Sequence, residues 1–393
     1  MKSLARIFFL ETDEETARAP AWAVLFSAFF IFFLTRFLVL AAYDLRGFHH
    51  LTSDPGNYIQ IAEFIARHGH IPNQGGFELR QFPGLSMLMA PLGMVLGDMV
   101  ASGYAVSYFF SLASIALFHF FFRSARLTFI YTIFVPSWLA SSTLIMSEGL
   151  TFFLIFCAMF AVSRDGFGAR QIILLTVAGY VFVVRNTALF FIIPFIVFYG
   201  LWKKDALSKI AFQLISLAVL PVIYLLWNQM EIGEMFPQKR FQLEYFILQG
   251  GDIYPKQLVT WPCYSMAIGL CQPAVPLAKK ASVLASLALA VAVPVLLVFR
   301  ANTCSELRAK AFHLACAAGA FGHLIFHLCI GGAFGFNSFD RYVSHINPVL
   351  VYALFGEKKL RWQWIVLIAV VGVVFASLTG RGERALFSFL KPE

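Results

Sequence analysis

Charge is scarce in this chain: Asp, Glu, Lys and Arg make up 13% of its 393 residues. A water-soluble domain carries about a quarter. With 60% hydrophobic residues and a mean hydropathy of +0.76, no soluble fold has enough interior for the apolar surface. Nucleotide-binding signatures are missing as well. No G-x-G-x-x-G or P-loop pattern occurs, so neither a dinucleotide nor a nucleoside triphosphate has its usual glycine-rich cradle. No internal repeat or inverted symmetry of hydropathy is visible, which weakens a secondary-transporter reading. The six cysteines include no zinc-type spacing. The first apolar run, 21 to 43, lacks a small-residue cleavage pattern and reads as a retained helix.

What is present is a succession of apolar runs. A membrane-crossing helix needs roughly 20 mostly apolar residues, and about eleven stretches approach that, some of them short. They fall at 21–43, 104–122, 127–144, 147–163, 171–185, 187–202, 210–227, 281–299, 311–331, 342–356 and 362–379. The expectation is an all-α polytopic membrane protein forming a single transmembrane domain over residues 1–393. Short cytoplasmic loops collect Lys and Arg. With the N-terminus inside, Arg123/Arg126, Arg164/Arg170, Lys203/Lys204/Lys209, Arg300/Arg308/Lys310 and Lys358/Lys359/Arg361 all fall inside. This regularity requires the apolar stretch 83–96 to lie along or dip into the outer face. Arg381 and Arg384 fit it less well. The net charge of +9, from 30 basic and 21 acidic residues, is then a topology signal and not a nucleic-acid footprint. A multi-pass protein of the plasma (inner) membrane with a cytoplasmic N-terminus is expected.

Two outer loops are large. The first covers 44–81 and, with the juxtamembrane stretch, reaches 103; the second covers 228–280. Cys263 and Cys271 share the second loop, where an oxidising exterior would favour a disulfide between them. In the first, Asp54-Pro55 opens an amphipathic helix whose apolar stripe is Tyr58, Ile61, Ala62 and Ile65. Asp54 fits an ordinary N-cap with Pro55 at the first helical position. It also fits a general base held at the water boundary, within reach of a lipid-borne donor and a water-borne acceptor.

Charges within spans are costly and tend to be paired or functional. Those at Arg36, Glu148, Arg185 and Arg341 all fall in the expected outer half or boundary. Guanidiniums gathered there suit an anionic ligand such as a phosphate. Structural pairs, Arg36 with Glu148 for instance, are the alternative. His323 and His327, four apart in one span, and His345 at the start of the next would be candidate ligands for a divalent metal. Histidines in spans more often hydrogen-bond between helices, and no resident metal or other cofactor is expected.

Taken in order, these residues resemble the GT-C fold glycosyltransferases, which include protein O-mannosyltransferases, aminoarabinose transferases and GPI mannosyltransferases. The resemblance rests on several short matches, covering about two thirds of the chain. After an N-terminal helix bearing Arg36 come Asp-x3-Tyr-x3-Ala (Asp54, Tyr58, Ala62), then His68-Gly69-His70-Ile71-Pro72, then Gln81-Phe82-Pro83-Gly84-Leu85. Further on are Met146-Ser147-Glu148-Gly149-Leu150, Arg185-Asn186-Thr187, and Asp340-Arg341-Tyr342 with Pro348. Two departures stand out. Gln81-Phe82 occupies the place of an acidic-basic pair in the aminoarabinose branch, and Ser53 precedes Asp54 where a second acid is usual. The resemblance implies a polyprenyl- or dolichyl-phosphate-linked sugar donor, a glycan, lipid or protein acceptor, and Asp54 as general base. Arg185, Arg341 and Arg80 become the candidate phosphate partners, with Glu148, Tyr58 and Tyr342 around the donor. A transporter or flippase for an anionic lipid-linked sugar would use the same charges.

Overall fold

The computed structural model describes residues 20–44, 54–72, 82–134, 136–164, 168–233, 235, 277–330, 343–356 and 362–379. Among them the chain is all-helical and contains no strand. In order, the helices are α1 (Ala21–Asp44), α2 (Asp54–His68), α3 (Gly84–Leu96), α4 (Met99–Phe122), α5 (Ala125–Ile133), α6 (Pro136–Ser141), α7 (Glu148–Ser163) and α8 (Ala169–Gly179). They continue with α9 (Val181–Arg185), α10 (Leu189–Trp202), α11 (Leu207–Ile232), α12 (Leu277–Thr303), α13 (Leu307–Ile330), α14 (Asn347–Phe355) and α15 (Trp362–Thr379). Short 3-10 turns at Asn186–Ala188 and Val343–Ile346 precede α10 and α14.

Among the described residues, six helical segments are long and apolar enough to cross a membrane, including Ala21–Ala42, Met99–Phe122 and the interrupted run Ala169–Trp202. Large apolar side chains cover their outer surfaces. On α1, Trp22, Phe26, Phe30, Phe33 and Phe37 are exposed at helical spacing, a stripe that water would penalise and lipid tails accept. The molecule is a multi-pass helical membrane protein.

The helix boundaries follow local chemistry. The Asp98 carboxylate accepts from the backbone N–H groups of Val100 at 2.8 Å and Ala101 at 3.1 Å. It therefore starts α4 five residues before the expected span. The single span expected at 127–144 is two helices, because Pro136, at the head of α6, has no N–H to continue α5 and its ring disfavours helix in the residue before it. The separation expected between 171–185 and 187–202 is present, with extended backbone at Arg185 (φ −159°, ψ 92°). Gly233 closes α11 in the left-handed region, φ 79°, where glycine has no side chain to clash.

The chain divides into two compact units. One holds α1, α2, α3 from Leu85, α4 to α6, α7 as far as Phe153, and α15. Its centre is aromatic: Phe118 stacks on Tyr131 at 4.4 Å, Tyr131 on Trp138 at 5.7 Å, and Trp138 meets Phe152 at 4.8 Å. The other holds α7 from Leu154 and the elements through Leu354. There α13 packs between α10 and α12, and α8 lies along α11. Small residues let α13 approach α10: a Cβ on Gly319 would stand 2.8 Å from the Phe191 carbonyl oxygen, and one on Gly322 2.9 Å from that of Phe190. Such close backbone approach is the usual basis of helix association in lipid.

Candidate functional site

Asp54 stands in the first turn of α2, one residue inside the expected cap position. The helix turns Pro55, Tyr58, Ile59, Ile61 and Ala62 inward. This is the expected stripe with Pro55 and Ile59 added and Ile65 left half-buried. Two bonds to Tyr58 fix the helix. Its carbonyl oxygen accepts from the Ser86 hydroxyl at 2.8 Å, and its own hydroxyl meets Ser147 Oγ at 3.1 Å. Ser147 immediately precedes Glu148, the first residue of α7, whose side chain is buried. Residues four apart on a helix share a face, so Asp54 lies on the face of α2 that Tyr58 holds against the start of α7. Gly149 keeps that start close to α4, since a Cβ there would stand 2.9 Å from the Ser111 backbone nitrogen. The carboxylates of Asp54 and Glu148 thus belong to two helix starts tied together through one tyrosine hydroxyl.

Arg36, in the same unit, is 1% exposed and has other partners than expected. Its Nε and Nη2 donate to Ser142 Oγ at 3.0 and 2.7 Å, while Nη1 donates to Thr35 Oγ1 and the Thr132 carbonyl, both at 2.9 Å. The guanidinium also lies 4.2 Å from the centre of the Phe32 ring. An Arg36–Glu148 pair is not what neutralises it. A delocalised cation with neutral acceptors and an aromatic face is a structural arrangement, and Arg36 leaves the group of candidate anion ligands.

The second unit brings four more candidates together. Arg185 ends α9, and its Nη1 lies 3.2 Å from His345 Nε2. His345 Nδ1 lies 3.2 Å from His323 Nε2, and His323 Nδ1 lies 3.1 Å from the Thr187 carbonyl oxygen. A guanidinium can only donate, which fixes the directions along the chain. His345 Nε2 accepts from Arg185, so its Nδ1–H donates to His323 Nε2. The Nδ1–H of His323 then donates to Thr187. His327, one turn further along α13, has its ring 4.6 Å from that of His323. All three imidazoles are buried. Sequence spacing joined His323 to His327 but held no signal for Arg185 meeting His345, which are 160 residues apart.

A separate lock closes the other end of α13. His313 Nδ1 donates to the Ala309 carbonyl, Tyr352 donates from its hydroxyl to His313 Nε2 at 2.8 Å, and Arg300 donates to the Tyr352 carbonyl at 2.8 Å. It ties α12, α13 and α14 together and has no sequence motif behind it. Arg80, Arg341, Tyr342, Cys263 and Cys271 lie outside the described residues.

The fold and its exposed apolar helices define a multi-pass integral membrane protein. Compared with known proteins, the chain matches no family model, no curated protein and no solved structure.

Proposed function

We propose that this protein is a GT-C-like membrane glycosyltransferase of about eleven spans, moving a sugar from a polyprenyl-phosphate donor to an acceptor hydroxyl at the outer membrane face. The observation that carries this reading is the Tyr58–Ser147 bond, which holds the helix of Asp54 against the helix start of Glu148. Two carboxylates, one half-exposed and one buried, divide naturally into a base that meets the aqueous acceptor and a group that orients the donor sugar. The ordered matches to the GT-C motifs support the donor class.

In the mechanism, the acceptor oxygen attacks the anomeric carbon while Asp54 takes its proton. The bond from the anomeric carbon to the phosphate oxygen breaks on the opposite face. Polyprenyl phosphate leaves, and the configuration inverts. Charge grows on the departing phosphate, so cations placed for it contribute most to the rate. The GT-C resemblance implies Arg185, Arg341 and Arg80 for that role. Tyr58 and Tyr342 flank the donor.

Asp54→Asn tests the reading. Asparagine in the first turn keeps the shape of the side chain and gives up only its charge against the helix dipole, about 0.3 to 1 kcal/mol, so fold and donor binding persist, while loss of a general base lowers turnover by about 10² to 10⁴. Release of labelled sugar from a panel of polyprenyl-phosphate donors is the measurement. Glu63→Gln is the control, since Glu63 pairs with Arg67 at 3.5 Å on the outer side of the same helix. Normal turnover in Asp54→Asn, or equal loss in Glu63→Gln, would refute the assignment. Donor crossing sealed vesicles with its sugar still attached would favour a flippase.

A further inference from the structure

Three imidazoles buried at one point are more than a helix contact needs. We propose that His323, His327 and His345 form a binding site for a divalent transition metal of the zinc class, with a fourth coordination position that no ligand among the described residues fills. The proposal stands whether or not the protein is a glycosyltransferase.

The geometry is close to what such an ion requires. One ring nitrogen from each histidine lies within 4.8 Å of the others. Tetrahedral zinc with bonds of about 2.0–2.1 Å separates its ligand nitrogens by roughly 3.4 Å. The 3.2 Å between His345 Nδ1 and His323 Nε2 is already near that spacing, so closing the set asks only for rotation of side chains. Two ligands one turn apart on α13 and a third from the turn before α14 make a set that local folding alone cannot assemble.

The donor chemistry agrees. Imidazole suits zinc, copper, nickel and iron, and three histidines with an open fourth position are a recurrent zinc set. Metal-bound histidines usually donate their second ring N–H to a carbonyl or carboxylate, which fixes the tautomer. His323 does this: its Nδ1–H is held by the Thr187 carbonyl, so the lone pair of Nε2 faces His345, with the His327 ring 4.6 Å from its own.

Arg185 adds a consequence. Without an ion, its N–H is accepted by His345 Nε2 and the proton of that ring sits on Nδ1. An ion taking Nδ1 moves the proton to Nε2, where it would face the N–H of Arg185. The guanidinium must then turn off His345. An anion at the open position would meet both the metal and the freed guanidinium.

The test uses the full-length protein in detergent with any affinity tag removed, stripped by chelator and titrated with Co²⁺. About one ion per chain is expected, with the visible absorption of a tetrahedral nitrogen site. His327→Ala and His345→Ala should weaken Co²⁺ binding by more than about 100-fold, beyond the loss of an outer partner. Arg185→Ala should bind the ion at least as tightly as wild type, because a donor competing for His345 is gone. Elemental analysis of protein purified without chelator should find zinc in wild type and lose it in the histidine variants. If the histidine variants fail to fold, the wild-type spectrum and Arg185→Ala still decide. A folded wild type without a tetrahedral cobalt spectrum, or undiminished binding in both folded histidine variants, overturns the site and leaves a hydrogen-bonded histidine chain.

Discussion

Burying a guanidinium among apolar helices costs several kcal/mol unless its donors are used, and the surroundings of Arg36 show how this chain meets that demand. Ser142 passes its own proton to the Trp138 carbonyl and keeps its lone pairs for Nε and Nη2, while Thr35 does the same through Ile31. Lysine has a single point of charge and cannot span Ser142, Thr35 and the Thr132 carbonyl at once while lying against Phe32. Arg36→Lys is therefore expected to lose about 1.5 to 3 kcal/mol, the range for a charge-assisted bond. Thermal unfolding in detergent measures it, and an unchanged midpoint would mean that the fork geometry is not used. The sequence marked Arg36 as a residue needing an explanation but could not supply one. Its acceptors at Ser142 and Thr132 come from 106 and 96 positions away.

Among the elements, the junction of α10 with α13 is the most exacting. Gly319 and Gly322 put α13 against the carbonyls of Phe191 and Phe190, and Phe190 stacks on Phe326 at 3.6 Å. A side chain at Gly319 must push the backbones apart, since the obstructing atom is a carbonyl and not a flexible tip. Gly319→Val should cost about 1 to 3 kcal/mol, as overpacking typically does. It should also loosen the histidine chain, because His323 is one turn further along and bonds to Thr187. Gly168→Ala is the control, with nothing within 4 Å of an added Cβ. Equal midpoints for Gly319→Val and Gly168→Ala in a detergent melt would contradict the close packing. The existence of these helices was legible from their apolar runs. Their breaks were legible only in part: the separation of 171–185 from 187–202 is present at Arg185, whereas the start at Asp98 and the break before Pro136, though ordinary start and stop signals, lie hidden in apolar runs that read as spans at 104–122 and 127–144.

Across the whole molecule, orientation is the property on which the functional reading depends. If the five basic turns share the cytoplasmic side, as short Lys- and Arg-rich loops do, Lys203 and Lys359 are expected inside and Gln74 and Gln257 outside. Single-cysteine variants at these positions, treated with a membrane-impermeant maleimide, should label on intact cells only at 74 and 257. Labelling of Gln74→Cys only after lysis would turn the proposed chemistry to the wrong face. The amino-acid sequence by itself determined that the chain enters a membrane, because transfer of an apolar run into lipid depends on composition and length alone. It also determined the helical class, since backbone groups without water must bond within their own segment. Only the tertiary structure decided which polar groups meet: Tyr58 with Ser147, Arg36 with Ser142, Arg185 with His345, and His345 with His323. The physical reason is that such bonds depend on short-range geometry between helices distant in sequence. Periodicity shows which face of a helix is apolar, but not which polar side chain on another helix will lie opposite it.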